Sequence, residues 1–281
     1  MDTAIKLERL RANMKKHGID ACYIGTADPH NSEYIAAHFQ TRAWLTGFKG
    51  SAGTAVVTAS DALLWTDGRY HIQAAGDLEG TPFMLMKQGS PGVPQPDEWL
   101  RDNLARGSRV AIDGTLVPDA TANSLEEKLA AKGITLVTDL DLVSGIWEDR
   151  PPLPSGKIFE HGIEYTGIPA SGKIGKVREK MKSDGADYAL YVGLDDIAWL
   201  MNFRGSDVPK HYMTLAFALI TADKAFLFID QNKVDDKMWN IFTSQGIELR
   251  GYDKVEEALR ALPAGVLAAD PSRVSRALLR T

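Results

Sequence analysis

The chain repeats itself, and this duplication constrains the fold more than any other feature of the sequence. Four blocks occur twice in the same order, and they pair residues 9–21 with 176–188, 43–51 with 198–206, 57–67 with 220–230, and 110–113 with 267–270. Self-similarity at matched positions is typical of repeated structural units. The sequence therefore predicts two domains of similar structure, and a single continuous domain is the alternative.

Each copy has the pattern of an α/β domain. The first block is an amphipathic helix that ends at a glycine, Gly18 or Gly185, where a left-handed helix cap is expected. The third block reads as two short strands joined by a polar turn, which is the pattern of a β-hairpin. Strands that alternate with helices predict a three-layer α/β domain with helices on both faces of the sheet. The hairpin makes that sheet mixed rather than purely parallel.

The boundary between the copies is expected where three prolines and a glycine interrupt both periodicities, in residues 148–156. We therefore expect domain I at 1–150, a linker at 151–163 and domain II at 164–281. After its last matched block the first copy continues with a helix, at about 118–132, and the apolar strand 134–137, whereas the second copy continues only with residues 272–279. We expect domain II to lack its closing strand, and the chain to belong to a longer protein, because an uncovered sheet edge is a liability.

Composition and charge exclude several classes of protein. The chain has 281 residues, 44% of them hydrophobic and 25% charged, which is an ordinary globular composition. Its formal net charge of -5, with both signs mixed, gives no basic face for nucleic acid. No apolar window reaches the roughly 18 residues that span a bilayer. The single cysteine, Cys22, lies in an apolar run and is expected to be buried, which fits a reducing, cytoplasmic location.

The sequence contains no recognisable catalytic motif. No pair of histidines has zinc-ligand spacing, and there is neither a nucleophile elbow nor a phosphate-binding loop. Residues 47–53 are rich in glycine, but they precede a hairpin rather than a helix, which favours a structural turn. His30 and Glu33 could be imagined as metal ligands, although an exposed polar loop is favoured for residues 28–34. The aromatic residues of the repeated blocks are expected in the core: Trp44, Trp65, Trp199, Phe203 and Phe228.

One cation stands out at the end of a predicted strand. Arg69 follows Asp67 and Gly68 where the strand gives way to a helix, a position at which α/β loops often carry function. Its guanidinium group could bind a carboxylate in a bidentate manner. An ion pair with Asp67 is at least as good an interpretation from the residues alone.

Several of these segments resemble the front domains of one peptidase family. The segments are residues 28–34, 46–58, 65–74, 142–151, 164–168 and 194–208. They resemble the three-domain, cytosolic type of Xaa-Pro aminopeptidase, also called aminopeptidase P. The resemblance covers essentially the whole chain, and the segment 194–208, in a second creatinase-type domain, is typical of the three-domain class.

The resemblance implies a cytosolic, dimeric metallopeptidase that releases the N-terminal residue of peptides with proline in second position. In that family a third domain, of the pita-bread fold, holds two divalent metals, usually manganese, and a bridging hydroxide attacks the peptide. None of its ligand motifs occurs in this chain. We therefore expect no catalytic residue, no metal site and no activity in this chain. From its charge and hydropathy we expect neither nucleic acid nor a membrane as a partner.

The resemblance also implies candidate residues at a substrate cleft. Arg69 is expected to reach toward the cleft, and Arg204 and Asp207 are expected to face the cleft or another domain. The resemblance strengthens the case for His30 and Glu33 as candidate site residues without a catalytic role, because their loop is typical of the family. Two alternatives remain, namely a free-standing binding module built from two creatinase-type domains and part of a prolidase-like dipeptidase.

Overall fold

The structure is a computed structural model that describes residues 1–281, and the chain divides into two compact units. The first unit comprises Met1–Asp28 and Ala37–Pro152. The second comprises Pro29–Ala36 and Leu153–Thr281. The segment Pro29–Ala36, which lies within the range expected for domain I, thus packs with the second unit. A single boundary along the sequence divides the chain into two continuous ranges, so it misses a short segment that packs with distant residues.

The first unit is built from five helices and six strands. Its helices are α1 (Thr3–His17), α2 (Thr41–Thr46), α3 (His71–Asp77), α4 (Pro96–Asn103) and α5 (Asp119–Ala130). Its strands are β1 (Ala21–Gly25), β2 (Thr54–Thr58), β3 (Ala62–Thr66), β4 (Met84–Lys87), β5 (Arg109–Ala111) and β6 (Thr135–Val137). As predicted, α1 ends at Gly18, which adopts the left-handed conformation with φ 64°.

The strands of the first unit form one mixed sheet in the order β4-β3-β2-β1-β5-β6. Strands β1, β2 and β3 pair antiparallel through the predicted hairpin, and the outer pairs are parallel. Buried side chains at alternate strand positions lie on opposite faces of the sheet and form two separate cores. One core lies beneath α1, α2 and α3, and the other lies beneath α4 and α5. The unit is therefore a three-layer α/β domain, as predicted.

The second unit has six helices and seven strands. Its helices are α6 (Ile163–Thr166), α7 (Ala170–Asp184), α8 (Leu194–Leu200), α9 (Asp236–Ser244), α10 (Val255–Arg260) and α11 (Arg276–Leu279). Its strands are β7 (Phe159–Glu160), β8 (Tyr188–Tyr191), β9 (Phe203–Arg204), β10 (Ala216–Thr221), β11 (Ala225–Ile229), β12 (Ile247–Arg250) and β13 (Leu267–Ala268). Part of the expected linker thus forms β7, which pairs with β9.

The main sheet of the second unit has the order β12-β11-β10-β8-β13. It reproduces the first sheet strand for strand, apart from a counterpart of β6. Helices α7, α8 and α9 cover one face, and α10 and α11 cover the other. The two matched halves of the sequence therefore fold into two mixed sheets flanked by helices on both sides. The helices of the chain are at most 15 residues long, and none combines the length and apolar character that a bilayer crossing needs.

Two expectations about individual side chains have different outcomes. Cys22 is buried in β1, as predicted, and burial raises the pKa of its thiol to about 12. Trp199, expected in the core, is instead 55% exposed. The reason is that the neighbouring α8 residues Ile197 and Leu200 occupy the buried face of that short helix. The Lys173 ammonium lies 4.2 Å from the Trp199 ring centre and covers part of it.

Candidate functional site

The corner between β3 and α3 presents the Arg69 side chain to solvent. Asp67 organises this corner, since its Oδ1 accepts hydrogen bonds from the backbone nitrogen of Arg69 at 3.0 Å and from Nε at 2.9 Å. A guanidinium nitrogen donates to the other carboxylate oxygen at 2.8 Å. These bonds hold the pKa of Asp67 down at about 2. The ion pair left open by the sequence is therefore present, and the Arg69 side chain remains 68% exposed.

The glycine-rich loop that precedes β2 packs beside this corner. Ser51 and Tyr70 share a hydrogen bond of 2.8 Å between their hydroxyl groups, and the Phe48 and Tyr70 rings meet edge to face at 5.8 Å. The hydrogen bond with Ser51 lowers the pKa of Tyr70. The Arg69 guanidinium lies 5.3 Å from the Tyr70 ring centre. The loop, Tyr70 and Arg69 thus form one continuous set of contacts.

Arg42, which no sequence motif indicated, donates hydrogen bonds to this loop. It projects from α2 and is only 3% exposed. Its guanidinium donates to the hydroxyl of Thr26 at 2.8 Å, to the carbonyl of Phe48 at 2.9 Å and to the carbonyl of Gly50. Comparison of the two copies could have identified this residue, because the charged Arg42 aligns with the apolar Ile197 of the second copy.

The segment Pro29–Ala36 brings His30 into the second unit. The His30 side chain is 1% exposed, so the expectation of an exposed loop is wrong at this residue. Its Nδ1 lies 2.9 Å from the Val192 carbonyl, and its Nε2 lies 2.8 Å from the Tyr252 hydroxyl. Since a carbonyl only accepts, Nδ1 carries a proton and donates it to Val192. The ring also packs against Phe217, with centres 4.5 Å apart.

Glu33, from the same segment, is exposed at a cavity of about 340 Å³ within the second unit. The cavity is lined by His30, Asn31, Ser32, Glu33, Tyr34, Leu194, Asp195, Val208, His211, Met213 and Arg273. Arg273 forms ion pairs with Asp195 at 3.4 Å and with Asp196 at 2.9 Å. Burial raises the pKa of Asp196, and the neighbouring Asp195 adds to that effect. No motif in the sequence pointed to Arg273 or His211.

In the second unit Asp207 is buried and Arg204 is half-buried. Arg204 donates to the carbonyls of Ala198 and Phe203, at 2.9 and 2.8 Å. Asp207 accepts from Lys233 at 2.5 Å, and both side chains of this ion pair are buried. Burial raises the pKa of Asp207 although Lys233 opposes this shift. These contacts account for both residues structurally, and their expected part in a substrate cleft stays a prediction.

The candidate residues are divided between the two units, and within the second unit His30 and Glu33 line the same cavity. Arg69 belongs to the first unit, whereas His30, Glu33, Arg204 and Asp207 belong to the second. Among residues 1–281 no group of three or more His, Cys, Asp or Glu side chains could hold a metal ion. The two metals implied by the resemblance therefore have no ligand set among these residues.

Known relatives match the chain along nearly its whole length. Aminopeptidase P2 of Arabidopsis thaliana is 41% identical over 94% of this chain and 38% of its own length. Xaa-Pro aminopeptidase 1 of Dictyostelium discoideum is 36% identical over 91% of this chain and 42% of its own length. The chain thus spans about two fifths of the length of these curated relatives.

A solved structure also resembles the chain along nearly its whole length. The X-prolyl aminopeptidase of Caenorhabditis elegans, described as "a cytosolic enzyme with a di-nuclear active site", superposes with a TM-score of 0.93 and 31% identity. The match covers 99% of this chain and 48% of the nematode enzyme.

Family models match each half of the chain separately. Residues 6–143 match a model described as "Creatinase/Prolidase N-terminal domain", and residues 149–281 match a second model with the same description. The chain therefore belongs to the creatinase/prolidase N-terminal domain family, with one such domain in each half, and corresponds to the N-terminal part of Xaa-Pro aminopeptidases.

Proposed function

We propose that this chain is the non-catalytic front part of a metal-dependent Xaa-Pro aminopeptidase, an enzyme that releases the N-terminal residue preceding proline. One observation carries the proposal, namely the TM-score of 0.93 over 99% of this chain with the nematode enzyme, of which the chain covers only 48%. That enzyme is described as having a di-nuclear active site, while the present residues offer no metal-ligand cluster. The chemistry is thus assigned to residues outside this chain.

The two domains are proposed to shape the substrate cleft and to contribute to assembly. Arg69 is the residue that we propose to reach the cleft, because its side chain is exposed at a corner where it makes three hydrogen bonds to Asp67. The domain boundaries are proposed at residue 150 and residue 164. The complete enzyme is proposed to be a cytoplasmic homodimer with two manganese ions, acting on peptides whose second residue is proline.

The test compares the 281-residue chain with the complete product of its gene. We expect the complete protein to cleave a peptide with proline in second position, to lose this activity in EDTA and to regain it with Mn²⁺. The matched peptide with alanine in second position should remain intact. The 281-residue chain alone should cleave neither peptide and should bind no Mn²⁺ tightly in calorimetry.

Three results would contradict the proposal. Cleavage by the 281-residue chain would show that the chemistry does not depend on a further domain. A stop codon shortly after the codon for Thr281 would favour the alternative of a free-standing binding module. Preference for a dipeptide over longer peptides would instead favour a prolidase-like enzyme.

A further inference from the structure

Arg42 is a buried cation without an acidic partner. It is 3% exposed, and no carboxylate lies within ion-pair distance of its guanidinium group. Its acceptors are one hydroxyl and two backbone carbonyls, and burial lowers its pKa to about 10. Burying a charge is costly unless hydrogen bonds compensate for it. Two of the three hydrogen bonds that compensate for this burial go to one backbone segment, the glycine-rich loop at residues 47–53.

At Gly50 that loop is packed closely against two aromatic rings. A Cβ atom on Gly50 would lie 2.2 Å from Phe48 Cζ and 2.9 Å from Tyr70 Cδ1. Ser51 then bonds the Tyr70 hydroxyl, and the Tyr70 ring lies under the Arg69 guanidinium. The contacts run without interruption from Arg42 through the loop and Tyr70 to Arg69.

The second copy of the domain provides an internal comparison. There Asp230 makes the same turn as Asp67, accepting from the backbone nitrogen of Asn232 at 3.0 Å. Asn232 stands where the first copy has Arg69, and the buried Ile197 stands where it has Arg42. The turn therefore forms without either arginine. The buried cation and the exposed guanidinium occur together, in one copy only.

We propose that Arg42 is a positioning residue, which fixes the glycine-rich loop and, through Tyr70, the direction of the Arg69 side chain. This proposal rests on the proposed function of Arg69 at the substrate cleft. Arg42 itself is buried and touches no substrate.

A double-mutant cycle in the complete enzyme tests this coupling. We expect Arg42→Met to lower kcat/KM by about 10- to 100-fold, because a small displacement of a group that binds substrate is costly. In the Arg69→Ala background the same substitution should change kcat/KM by less than about 3-fold, since coupled residues are not additive. The matched control is Arg11→Met, because Arg11 also donates to two backbone carbonyls in the first unit, those of Thr58 and Asp61. Multiplicative effects of the two substitutions, or equal effects of Arg42→Met and Arg11→Met, would overturn the proposal.

A second measurement does not depend on activity. In the 281-residue chain labelled with ¹³C-tyrosine, the Tyr70 signal is assigned with Tyr70→Phe and titrated by NMR. Arg42→Met should raise the pKa of Tyr70 toward its ordinary value, because the loop no longer holds Ser51 in place, whereas Arg11→Met should leave it unchanged. An unchanged Tyr70 titration in Arg42→Met overturns the positioning role even if the complete enzyme is active.

The two proposals can fail separately. A shifted Tyr70 titration together with a complete protein that cleaves no Xaa-Pro peptide supports the structural link and overturns the proposed function. If Arg42→Met does not fold, Arg42→Lys replaces it in both experiments. Lysine keeps the charge without the planar guanidinium fork, so it should produce the same Tyr70 shift and the same non-additivity with Arg69→Ala.

Discussion

At the scale of single residues, the duplication separates side chains that maintain the fold from those that occur in one copy only. Lys6 donates to the carbonyl of Trp44 at 2.6 Å, and Lys173, its counterpart, donates to the carbonyl of Trp199 at 2.6 Å. Arg11 and its counterpart Arg178 each donate to the matching threonine carbonyl at the hairpin turn. Contacts that both copies share serve the common fold. Arg42 and Arg69 have no such counterpart, which is the reason to place function there.

Removing the Arg69 side chain should impair the complete enzyme while leaving the fold intact. We expect Arg69→Ala to lower kcat/KM by about 10- to 100-fold, the loss typical of one hydrogen bond between charged groups. The pair with Asp67 is exposed, so the free energy of unfolding of the 281-residue chain at pH 7 should change by no more than about 1 kcal/mol. The measurements are steady-state kinetics and urea unfolding.

The stability effect of Arg69→Ala should depend on pH in a defined direction. Arg69 depresses the pKa of Asp67 to about 2. The stabilisation is therefore fully present above the ordinary carboxyl pKa of about 4 and is lost as the pH falls toward 2.

Arg101→Ala is the matched control, because Arg101 makes the same two-bond pair with the exposed Asp102 at 2.7 and 2.9 Å. Equal kinetic losses in Arg69→Ala and Arg101→Ala would return Arg69 to a structural role.

At the scale of the elements, both close approach and backbone conformation constrain the glycine-rich loop. Gly50 lies against the Phe48 and Tyr70 rings, and its counterpart Gly205 lies against the Thr214 side chain. Gly47 has φ 83°, and its counterpart Asn202 has φ 55°, so both copies use a left-handed residue at the same step. The loop is thus a repeated element whose shape depends on small residues at fixed positions.

A methyl group at Gly50 should destabilise the first unit. We expect Gly50→Ala to lower the free energy of unfolding by about 1–3 kcal/mol, because the new Cβ overlaps two rings that are themselves packed. Gly68 lies near the same corner, and a Cβ there meets nothing within 4 Å. Gly68→Ala should therefore stay within about 0.5 kcal/mol of the parent chain in urea unfolding. A neutral Gly50→Ala would mean that the loop moves freely and that Arg42 does not fix it.

At the scale of the whole molecule, the two units are each continuous in space but not in sequence. The second unit includes the short segment Pro29–Ala36. The rest of that unit begins at Leu153, which lies 117 residues after Ala36 along the chain. His30 is the buried centre of this segment, with hydrogen bonds to Val192 and Tyr252. The stability of the second unit therefore depends on a residue from the first half of the chain.

Substitution of His30 should weaken the second unit selectively. We expect His30→Ala to cost about 2–4 kcal/mol, because it leaves a cavity and deprives a carbonyl and a hydroxyl of a partner. Hydrogen exchange should report the loss in β8, β10 and β13 and leave β1 and β2 protected as before. His38→Ala is the control, since His38 bonds the Pro151 carbonyl at 2.7 Å within the first unit. Loss of protection in both units from His30→Ala would contradict the assignment of Pro29–Ala36 to the second unit.

The sequence by itself determined the two α/β domains, the mixed sheets, the helix-capping glycines and the family. These features follow from periodicity, turn residues and repetition, all of which are local or compare one segment with another. Tertiary structure alone decided that Pro29–Ala36 belongs to the second unit, that Trp199 is exposed and that Asp207 forms a buried pair with Lys233. It also decided that Arg42 lies beneath the loop next to Arg69. The physical reason is that burial and pairing are set by which distant segments meet, and a pattern along one segment carries no record of its partner.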